Sequence, residues 1–560
     1  MCGYAFVSCR HKKAREINTN LMHHRGPDHT KEIDLGWCRT RHWRLSIQDL
    51  TSNSNQPISN QDHHLVYNGE LYDFKNISSK NFLKSFDSDT QLMFHVLKED
   101  NFELIKNQSG FYSFIFINDL GKEFFSARDP FGKKPLYYYF DDDLLVVASE
   151  DKAVRSLAQE YGKDVSLNKI SIAHYLRYKD LHFGNTFFNN INELAPGSSL
   201  EFDFENWSLS KSISWEDYYY SEPFYKFKNL ENNSNDPSQN ILPQLKDHLI
   251  NAINKRFNAD VPIQLALSGG IDSTLLALVA NHCNRHFERA LTVSSNSRPS
   301  ELSKSKKLCD KFSINHEVID FNDIDFLALL KKAVRAQAAP LSHPHALALF
   351  VISEKTSNQG KVLITGEGAD ELMYGYEHHK KKNFSFAFLE HINPSEYFEI
   401  KGDDKTDMLK KFSLNEFLKN NDYRDLEVKT HLLSLLRRND RISMKNSIEL
   451  RSAYLDFELF KFVSYQQKIG TLRKGKSSLV KIIMDFFESY EADEEKIGFY
   501  FPFDEWFEGQ RNNTVLKNYI EISESFFKTT FNWTLKDKSN VKGKLAWALI
   551  NLGVFLEMEG

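Results

Sequence analysis

The chain has 560 residues, of which 41% are hydrophobic and 26% are charged, and its formal net charge is −5. This length predicts several domains. The near-balanced charge, without a Lys/Arg-rich block, argues against nucleic acid binding as the main task. No apolar run approaches the ~20 residues that span a membrane, and the N-terminus lacks the apolar core of a signal peptide. We therefore predict a cytoplasmic protein without nucleic acid or membrane partners.

The second residue of the chain is a cysteine, Cys2. Initiator methionine is normally removed before so small a residue, which would leave the thiol and a free α-amine on Cys2. Such an amine has a pKa near ~8 and can accept the thiol proton, as in N-terminal-nucleophile hydrolases. Cys2 is therefore a candidate nucleophile, and a chance second residue is the alternative. The other four cysteines are scattered and fit neither a disulfide framework nor a zinc site.

Polar motifs on predicted strand ends and loops follow in the first half of the chain. A predicted strand presents Arg44, and Asn68-Gly69-Glu70 follows an apolar strand. Ser88-Asp89 has the pattern of a helix N-cap. Residues 110–150 alternate between apolar and polar positions as antiparallel strands do. The first half is therefore predicted to be rich in antiparallel sheet, with polar groups at its edges.

The second half alternates strand and helix patterns after a polar stretch at 229–240 that is typical of a linker. Such alternation predicts a mostly parallel sheet with helices on both faces, and ligands bind beyond the carboxyl ends of its strands. The predicted strands are 261–267, 289–295, 316–321 and 361–365, and the predicted helices are 273–283, 301–312, 323–336 and 345–355.

Two glycine-containing loops follow strands of this predicted sheet. The first, Ser268–Thr274, reads SGGIDST and lies between a strand end and a helix start, where backbone N–H groups bind phosphate. Asp272 would repel phosphate unless a divalent cation lay between them, which indicates a Mg²⁺-nucleotide. The second loop, Gly366–Glu371, reads GEGADE. An ordinary glycine turn is the alternative for the first loop, and a helix N-terminus rich in acids is the alternative for the second, but two such loops can meet on one nucleotide.

These motifs, in this order, resemble the glutamine-hydrolysing asparagine synthetase family. MCG, RGPD, RLSI, NGE and SDT carry the resemblance in the first half, and SGGIDS, TGEGADE and DRISM carry it in the second. It implies an α+β N-terminal-nucleophile αββα sandwich over residues 2–225, a linker over 226–241, and an α/β parallel-sheet ATP-pyrophosphatase domain over 242–560. It also implies an AMP-forming carbon–nitrogen ligase that uses glutamine, ATP and Mg²⁺, and a homodimer.

The resemblance also implies the site residues. In the first half, Cys2 attacks the glutamine side-chain amide, with an oxyanion hole from Asn68 and Gly69. Glutamine is held by Arg44, Asn68, Glu70 and Asp89. In the second half, Glu367 is the implied general base, and Asp272 and Asp370 hold Mg²⁺. The implied ATP contacts are Leu267, Ser268, Gly269, Gly270, Asp272, Ser273, Val293, Thr365, Gly366 and Lys481.

The acceptor of the amide nitrogen is left open by the sequence. Aspartate is the acceptor that the family implies, but residues 337–350 do not resemble the acceptor region of asparagine synthetases. Another carboxylate, such as a uronic acid in surface-polysaccharide synthesis, is the alternative. The chain also departs from the family pattern at four positions: Gln91, Ala453, Asp485 and Glu494.

Two further hypotheses belong to other functional classes. A tRNA- or peptide-modifying adenylating enzyme is disfavoured by the absence of a basic patch and by the intact glutaminase motifs. A non-catalytic relative predicts loss of reactive residues, yet Cys2, Asn68, Asp272, Glu367 and Asp370 are all present. Histidine pairs, including His343/His345 and His378/His379, lack the spacing of a zinc site and are predicted to be surface or polar-network residues.

Overall fold

The computed structural model describes residues 2–211 except 84, 107 and 183, then 241–294, 299–380, 391–400, 427–488, 490, 503–510 and 513–559. The predicted linker at 226–241 lies outside this part of the chain, except that Ile241 begins a helix. The position of Glu494 also lies outside it. Among the described residues, no helix combines the length and apolar character needed to cross a bilayer.

The first half of the chain forms two antiparallel sheets. Its strands are β1 (Gly3–Cys9), β2 (His29–Asp34), β3 (Cys38–Arg44), β4 (Ile58–Asn60), β5 (His63–Leu71), β6 (Gly110–Asn118), β7 (Glu123–Arg128), β8 (Tyr137–Phe140), β9 (Leu144–Ala148), β10 (Ile191–Glu193), β11 (Ser199–Asp203) and β12 (Ser208–Lys211). The strand order is β10-β8-β9-β1-β3-β2 in one sheet and β12-β11-β7-β6-β5-β4 in the other.

Helices cover the outer faces of these two sheets. They are α1 (Phe74–Asn81), α2 (Asp89–Lys98) and α3 (Asp151–Glu160), whereas α4 (Lys169–Tyr178) packs against residues of the second half. Alternate residues of a strand point to opposite faces, so Phe6 of β1 packs between the sheets against Val66, whereas Val7 packs outward against Val154 of α3. The predicted αββα sandwich is confirmed.

The second half contains the remaining elements of the described chain. Its helices are α5 (Ile241–Lys255), α6 (Ile271–His282), α7 (Pro299–Phe312), α8 (Phe326–Gln337), α9 (His345–Thr356), α10 (Ala369–Met373), α11 (Pro394–Tyr397), α12 (Leu433–Lys445), α13 (Phe457–Lys468), α14 (Ser477–Phe486), α15 (Phe503–Gly509), α16 (Thr514–Phe531) and α17 (Gly543–Glu559). Its strands are β13 (Ile263–Ala266), β14 (Arg289–Ser294), β15 (His316–Asp320), β16 (Val362–Thr365), β17 (Phe398–Ile400), β18 (Glu449–Ser452) and β19 (Trp533–Leu535).

Five of these strands form a parallel sheet in the order β15-β14-β13-β16-β18. Both faces are buried, as its apolar strands predict. Leu265 packs on one face with α6, and the adjacent Ala266 packs on the other with α8 and α9. The predicted α/β architecture is confirmed, and each predicted strand and helix of this region lies within a few residues of its observed position.

The two halves share buried contacts. The Arg25 guanidinium donates to both carboxylate oxygens of Asp440, at 2.8 and 3.0 Å, and to Glu150 at 3.1 Å. Lys133 Nζ lies 2.8 Å from Ser452 Oγ on β18. Burial lowers the pKa of Lys133 to about 7. The contacts to Asp440 and Ser452 fix the first half against α12 and against β18, the strand that neighbours β16, at whose end the second glycine loop begins.

Candidate active sites

The thiol predicted as nucleophile lies in a pocket at the start of β1. Cys2 is buried, and Arg44, Gly69, Glu70 and Asp89 line the same pocket. Burial raises the pKa of the Cys2 thiol, and this is only partly opposed by a positive charge at the chain terminus. The structure therefore brings together the residues that the sequence predicted for glutamine, although they come from the residue before β1, from β3, from β5 and from α2.

The side-chain amide of Asn68 is oriented for the oxyanion role predicted for it. Its Oδ1 accepts the Cys2 backbone N–H at 3.0 Å, which fixes which end of the amide faces the nucleophile. Its Nδ2 is buried and has no hydrogen-bond partner in the described part of the chain. A buried donor without a partner is costly, so this group suits an oxygen that becomes negative beside Cys2.

The two acids predicted to hold the glutamine ammonium differ in their surroundings. Asp89 Oδ2 accepts from the Tyr67 hydroxyl and the Leu71 N–H, both at 3.0 Å. Glu70 Oε2 is buried without a hydrogen-bond partner among the described residues, and Oε1 lies 3.7 Å from Arg451. Burial, and then the charge of Glu449, raise the pKa of Glu70. Glu70 therefore offers the acceptor with spare capacity for a bound ammonium.

Arg44 reaches the same pocket from the end of β3. Its guanidinium donates to the Thr51 carbonyl at 2.6 Å, to Asn55 Oδ1 at 2.7 Å and to the Asp49 carbonyl. These bonds hold the side chain rigid while it lines the pocket. The family departure at Gln91 leaves this site intact, because the Gln91 side chain instead accepts the Asp87 N–H at the start of α2.

The first glycine loop joins β13 to α6 as predicted. Gly269 has φ +80°, a left-handed conformation that favours glycine. Ser268 Oγ lies 3.2 Å from Ser273 Oγ and accepts the Gly270 N–H at 3.3 Å. No side chain caps the N-terminus of α6 at Gly270. The helix therefore presents backbone N–H groups to a ligand, as a phosphate site requires.

The second glycine loop follows β16 and contacts the first loop directly. A Cβ atom added to Gly366 would lie 2.8 Å from Asp272 Cβ. Lys476 Nζ bridges the loops, at 2.6 Å from Asp272 Oδ2 and 2.6 Å from Asp370 Oδ1. Two loops separated by about a hundred residues of sequence therefore meet at one point, and a lysine lies between their acids.

The structure places a different lysine from the predicted Lys481 against the two loops. Lys481 is exposed on α14, whereas Lys476, at the start of that helix, reaches both aspartates. A spacing of five residues places two side chains on different sides of a helix, so only one of them can face the loops. Asp485, one of the noted departures, is also exposed and lies 3.4 Å from Lys246.

The other predicted ATP contacts lie around these loops. Leu267 is buried, and its N–H donates to the Leu291 carbonyl at 2.9 Å. Thr365 ends β16, and its buried hydroxyl has no hydrogen-bond partner within the described chain. Val293 is half-buried on β14, next to β13. Leu267, Thr365 and Val293 thus lie at the same edge of the sheet, where a parallel sheet binds its ligand.

The fit of a divalent cation can be judged from the oxygens available. Asp272 Oδ1 is buried and has no hydrogen-bond partner among the described residues. Asp370 faces the same space across Lys476. Carboxylate oxygens are the protein ligands that Mg²⁺ takes, usually one or two together with phosphates. The donor set therefore fits Mg²⁺ bound jointly with a nucleotide.

A cavity of about 430 Å³ extends from the two loops. Glu367 lines it and lies 3.4 Å from Arg438 Nη2. The neighbouring Glu371 is buried and accepts the Tyr376 hydroxyl at 2.6 Å. Burial, and then the charges of Glu427 and Glu367, raise the pKa of Glu371 to about 8. Glu367 is therefore the more exposed carboxylate of this pair and the one that can act on a ligand.

The cavity ends in a group of basic side chains that we call the acceptor end. These residues come from segments far apart in the sequence, and the sequence predicted none of them as site residues. Its members are Lys179, His182, His343, His345, His378 and His431.

Three side chains beside the acceptor end have ligand atoms within 4.8 Å of one another and could in principle hold a metal: His378, His379 and Glu427. However, His379 Nδ1 accepts the Tyr376 N–H at 3.0 Å, so the ring proton lies on Nε2. That Nε2 donates to Glu427 Oε2 at 2.8 Å. A metal-binding histidine instead donates from its other nitrogen. The three residues therefore form a polar network, as the sequence predicted.

We expect Gly366→Ala to reduce pyrophosphate release from ATP by about 10- to 100-fold, because a new Cβ would push Asp272 away from its position. Glutamine hydrolysis is expected to stay unchanged, since Gly366 lies in the other half of the chain. Gly509→Ala is the control, because a Cβ there meets nothing within 4 Å. Equal pyrophosphate release by Gly366→Ala and the unsubstituted protein would contradict the close approach of the loops.

Comparison with known proteins agrees with this arrangement. The Asparagine synthase family matches residues 244–552, and the Glutamine amidotransferase domain family matches residues 1–215. The chain is similar to "Asparagine synthetase [glutamine-hydrolyzing] 1" of Bacillus subtilis (strain 168), with 24% identity over 94% of this chain and 90% of that protein.

Other similar proteins carry a different name. "Amidase chyE" of Penicillium rubens (strain ATCC 28089 / DSM 1075 / NRRL 1951 / Wisconsin 54-1255) is 27% identical over 67% of this chain and 59% of its own length. "Amidase chry2" of Gibberella zeae (strain ATCC MYA-4620 / CBS 123657 / FGSC 9075 / NRRL 31084 / PH-1) is 26% identical over 65% of this chain and 55% of its own length. The chain thus spans just over half of each of these two amidases.

Proposed function

Because this chain belongs to the asparagine synthase family and carries a glutamine amidotransferase domain, we propose that it amidates a carboxylate through an acyl adenylate. It is an ATP-dependent, glutamine-hydrolysing ligase of the asparagine synthase type. The observation that carries the proposal is the cavity in which both phosphate loops and Glu367 face one space. Residues 2–225 form the glutaminase domain and residues 242–560 the synthetase domain of this proposal.

The first half supplies ammonia. The Cys2 thiol gives its proton to the α-amine as its sulfur attacks the glutamine side-chain amide, and that proton then passes to the leaving nitrogen. The negative oxygen that forms is stabilised by Asn68 Nδ2, whose lack of a partner supports this role, and by the Gly69 N–H. Ammonia leaves, and water then hydrolyses the thioester to give glutamate. Arg44 holds the glutamine α-carboxylate, while Glu70 and Asp89 hold its α-ammonium.

The second half activates the acceptor. An acceptor carboxylate oxygen attacks the α-phosphorus of ATP, and pyrophosphate leaves into the cradle formed by the loops at Ser268–Ser273 and Gly366–Asp370. Lys476 lies where it can neutralise phosphate charge. Mg²⁺, held by Asp272 and Asp370, supplies further charge neutralisation when bound. Ammonia then attacks the acyl carbon, AMP leaves, and Glu367 accepts the surplus proton.

The acceptor itself is the finer part of the proposal. L-Aspartate, which would give asparagine, is the acceptor that the family implies, and the 24% identity to the Bacillus enzyme supports it only weakly. The similarity to fungal proteins named amidases supports amidation of another carboxylate. The acceptor end, with its histidines and Lys179, favours this second possibility. Substrate identity does not follow from the fold.

Transfer of ammonia between the two sites calls for an enclosed passage, because ammonia released to bulk water would be protonated. Contacts between the halves support such a passage. Lys133 of the first half is buried and reaches Ser452. The charge of Glu367, in the second half, partly opposes the lowering of the Lys133 pKa by burial. Arg451 reaches Glu70 from β18. The passage would run along this buried boundary between the halves.

The test is to incubate purified protein with ATP, Mg²⁺ and glutamine, and to add L-aspartate, glucuronate or succinate singly. The proposal expects one of these acids to induce release of pyrophosphate and AMP in equal amounts, together with an amide product. Ammonium chloride should replace glutamine as nitrogen source. Formation of ADP and phosphate, or pyrophosphate release that no acid affects, would contradict the proposal.

A further inference from the structure

The acceptor end contains three nitrogen-bearing side chains without hydrogen-bond partners in the described part of the chain. They are Lys179, His343 and His431, and all three line the cavity. Besides burial, the charge of Lys179 lowers the pKa of both histidines, and the centroids of the two histidine rings lie 6.1 Å apart. Three such groups, each half-buried in the wall of one cavity, form a site for an anion, because an anion that enters the cavity can accept hydrogen bonds from all three.

Lys179 is the charged member of this corner. It follows α4 in a left-handed conformation, with φ +58°, which turns the chain as the helix ends. Burial, and then the charge of Lys544, lower the pKa of its ammonium to about 8. The nearest acid in sequence, Asp180, is already paired with Arg437 at 2.9 Å. A bound anion would supply the partner that the ammonium group lacks.

The two histidines are neutral donors. Burial, and then the charge of Lys179, lower the pKa of His343 and hold that of His431 at about 3. A neutral imidazole carries one N–H donor, and in each ring this donor is available to a ligand. His431 also packs against the Tyr376 ring, at 5.5 Å between centroids, which fixes its position. The corner thus offers one ammonium and two imidazole donors.

Each carboxylate that lines the cavity has a partner within the protein, although Asp272 Oδ1, at the phosphate loops, has none of its own among the described residues. Asp272 and Asp370 pair with Lys476, Glu367 with Arg438, and Asp180 with Arg437. Glu371 accepts the Tyr376 hydroxyl. Glu427, beside the cavity, accepts from His378 and His379. Among the described residues, the members of the acceptor end therefore offer donors for an anion, and none of them is a carboxylate that could pair with an ammonium group.

We infer that the acceptor is a small acid that carries a second negatively charged group and no ammonium group. One carboxylate reacts near Glu367 and the phosphate loops, while the second anion binds Lys179, His343 and His431. This inference rests on the proposed function and specifies its substrate. The second anion is a carboxylate or a phosphate, since both accept hydrogen bonds from ammonium and imidazole groups.

A matched set of acids tests the inference. Succinate is aspartate without the ammonium group, butyrate lacks the second anion, β-alanine carries an ammonium but no second anion, and 3-phosphonopropionate replaces one carboxylate by a phosphonate. The inference expects the kcat/KM for pyrophosphate release to be at least about tenfold higher with succinate or the phosphonate than with aspartate, butyrate or β-alanine. The better of the two dianions then distinguishes carboxylate from phosphate recognition.

Two variants separate this role from a structural one. Lys179→Met is expected to raise the KM for succinate about tenfold or more, with a smaller change in kcat, and to leave the KM for butyrate unchanged. Lys179→Arg should restore the KM for succinate, since it keeps the charge. Thermal unfolding of both variants serves as the folding control. An equal effect of Lys179→Met on succinate and butyrate would overturn the inference, as would aspartate outperforming succinate.

Binding separates failure of the inference from failure of the proposed function. Calorimetry measures succinate binding to the full chain with Mg²⁺ and α,β-methylene-ATP, which cannot transfer its α-phosphate. Binding of succinate that weakens about tenfold or more in Lys179→Met supports the inference even if no acid is adenylated. Binding of butyrate as tight as that of succinate overturns the inference, even if one of these acids supports pyrophosphate release.

Discussion

Replacing Cys2 by alanine is expected to reduce glutamine-dependent amide formation by at least about 10³-fold, because the substitution removes the thiol that forms the covalent intermediate. Ammonium chloride should still support the reaction, since the synthetase half is unchanged. The measurement compares product formation with glutamine and with ammonium as the nitrogen source. The difference between the rates with glutamine and with ammonium, rather than either rate alone, therefore tests the role of Cys2.

Cys9 provides the matched control for this experiment. It ends β1, the strand that begins directly after Cys2, is also buried and is one of the free cysteines. Cys9→Ala should retain glutamine-dependent activity, and any loss it shows measures the effect of removing a buried sulfur from β1. If Cys2→Ala retained glutamine hydrolysis, another nucleophile would be required and the assignment of the first site would be wrong.

Replacing Lys476 by methionine is expected to reduce pyrophosphate release by about 10²- to 10³-fold, because the only described contact between the two acidic loops that carries positive charge is removed. The loss should appear in kcat with either nitrogen source. Glutamine hydrolysis in the first half should persist. Initial rates of pyrophosphate release and of glutamate formation, measured on the same preparation, report the two halves separately.

Lys481→Met is the control for this substitution, since it removes the same charge from the same helix at an exposed position. We expect it to behave as the unsubstituted protein does. If Lys481→Met abolished pyrophosphate release while Lys476→Met did not, the phosphate lysine would be the one that the sequence predicted. The two variants together show whether Lys476 or Lys481 is the lysine that acts on phosphate.

Much of the fold could be predicted from the sequence, because local patterns determine it. Buried strands such as β13 are short apolar runs, and the glycine loop after β13 combines a left-handed residue with a helix start. Each feature depends on neighbouring residues only. The same holds for Asn68 and Gly69, which lie near the end of the apolar strand β5.

The lysine between the loops could not be chosen from sequence spacing alone. Lys476 and Lys481 differ by five residues, and both fit a helix that follows a turn. Which side of α14 faces the loops depends on how the helix packs against α6, since His282 of α6 contacts Phe486 of α14. That packing is a tertiary property, which the local pattern does not contain.

The acceptor end also could not be predicted from the sequence. Lys179 follows a helix of the first half, His343 precedes α9, and His431 precedes α12. None of the three belongs to a motif, and an isolated histidine is more often a polar core residue than a ligand. They become a site only because the two halves pack together and leave all three without hydrogen-bond partners in one corner of the described cavity.

The measurement that tests the central proposal most directly follows oxygen from the acceptor to the nucleotide. The protein is incubated with ATP, Mg²⁺, glutamine and an acceptor whose carboxylates carry ¹⁸O, and the AMP is examined by mass spectrometry. Attack of the carboxylate on the α-phosphorus predicts one ¹⁸O atom in each AMP formed. AMP without ¹⁸O, accompanied by amide product, would contradict an acyl adenylate and the mechanism proposed for this chain.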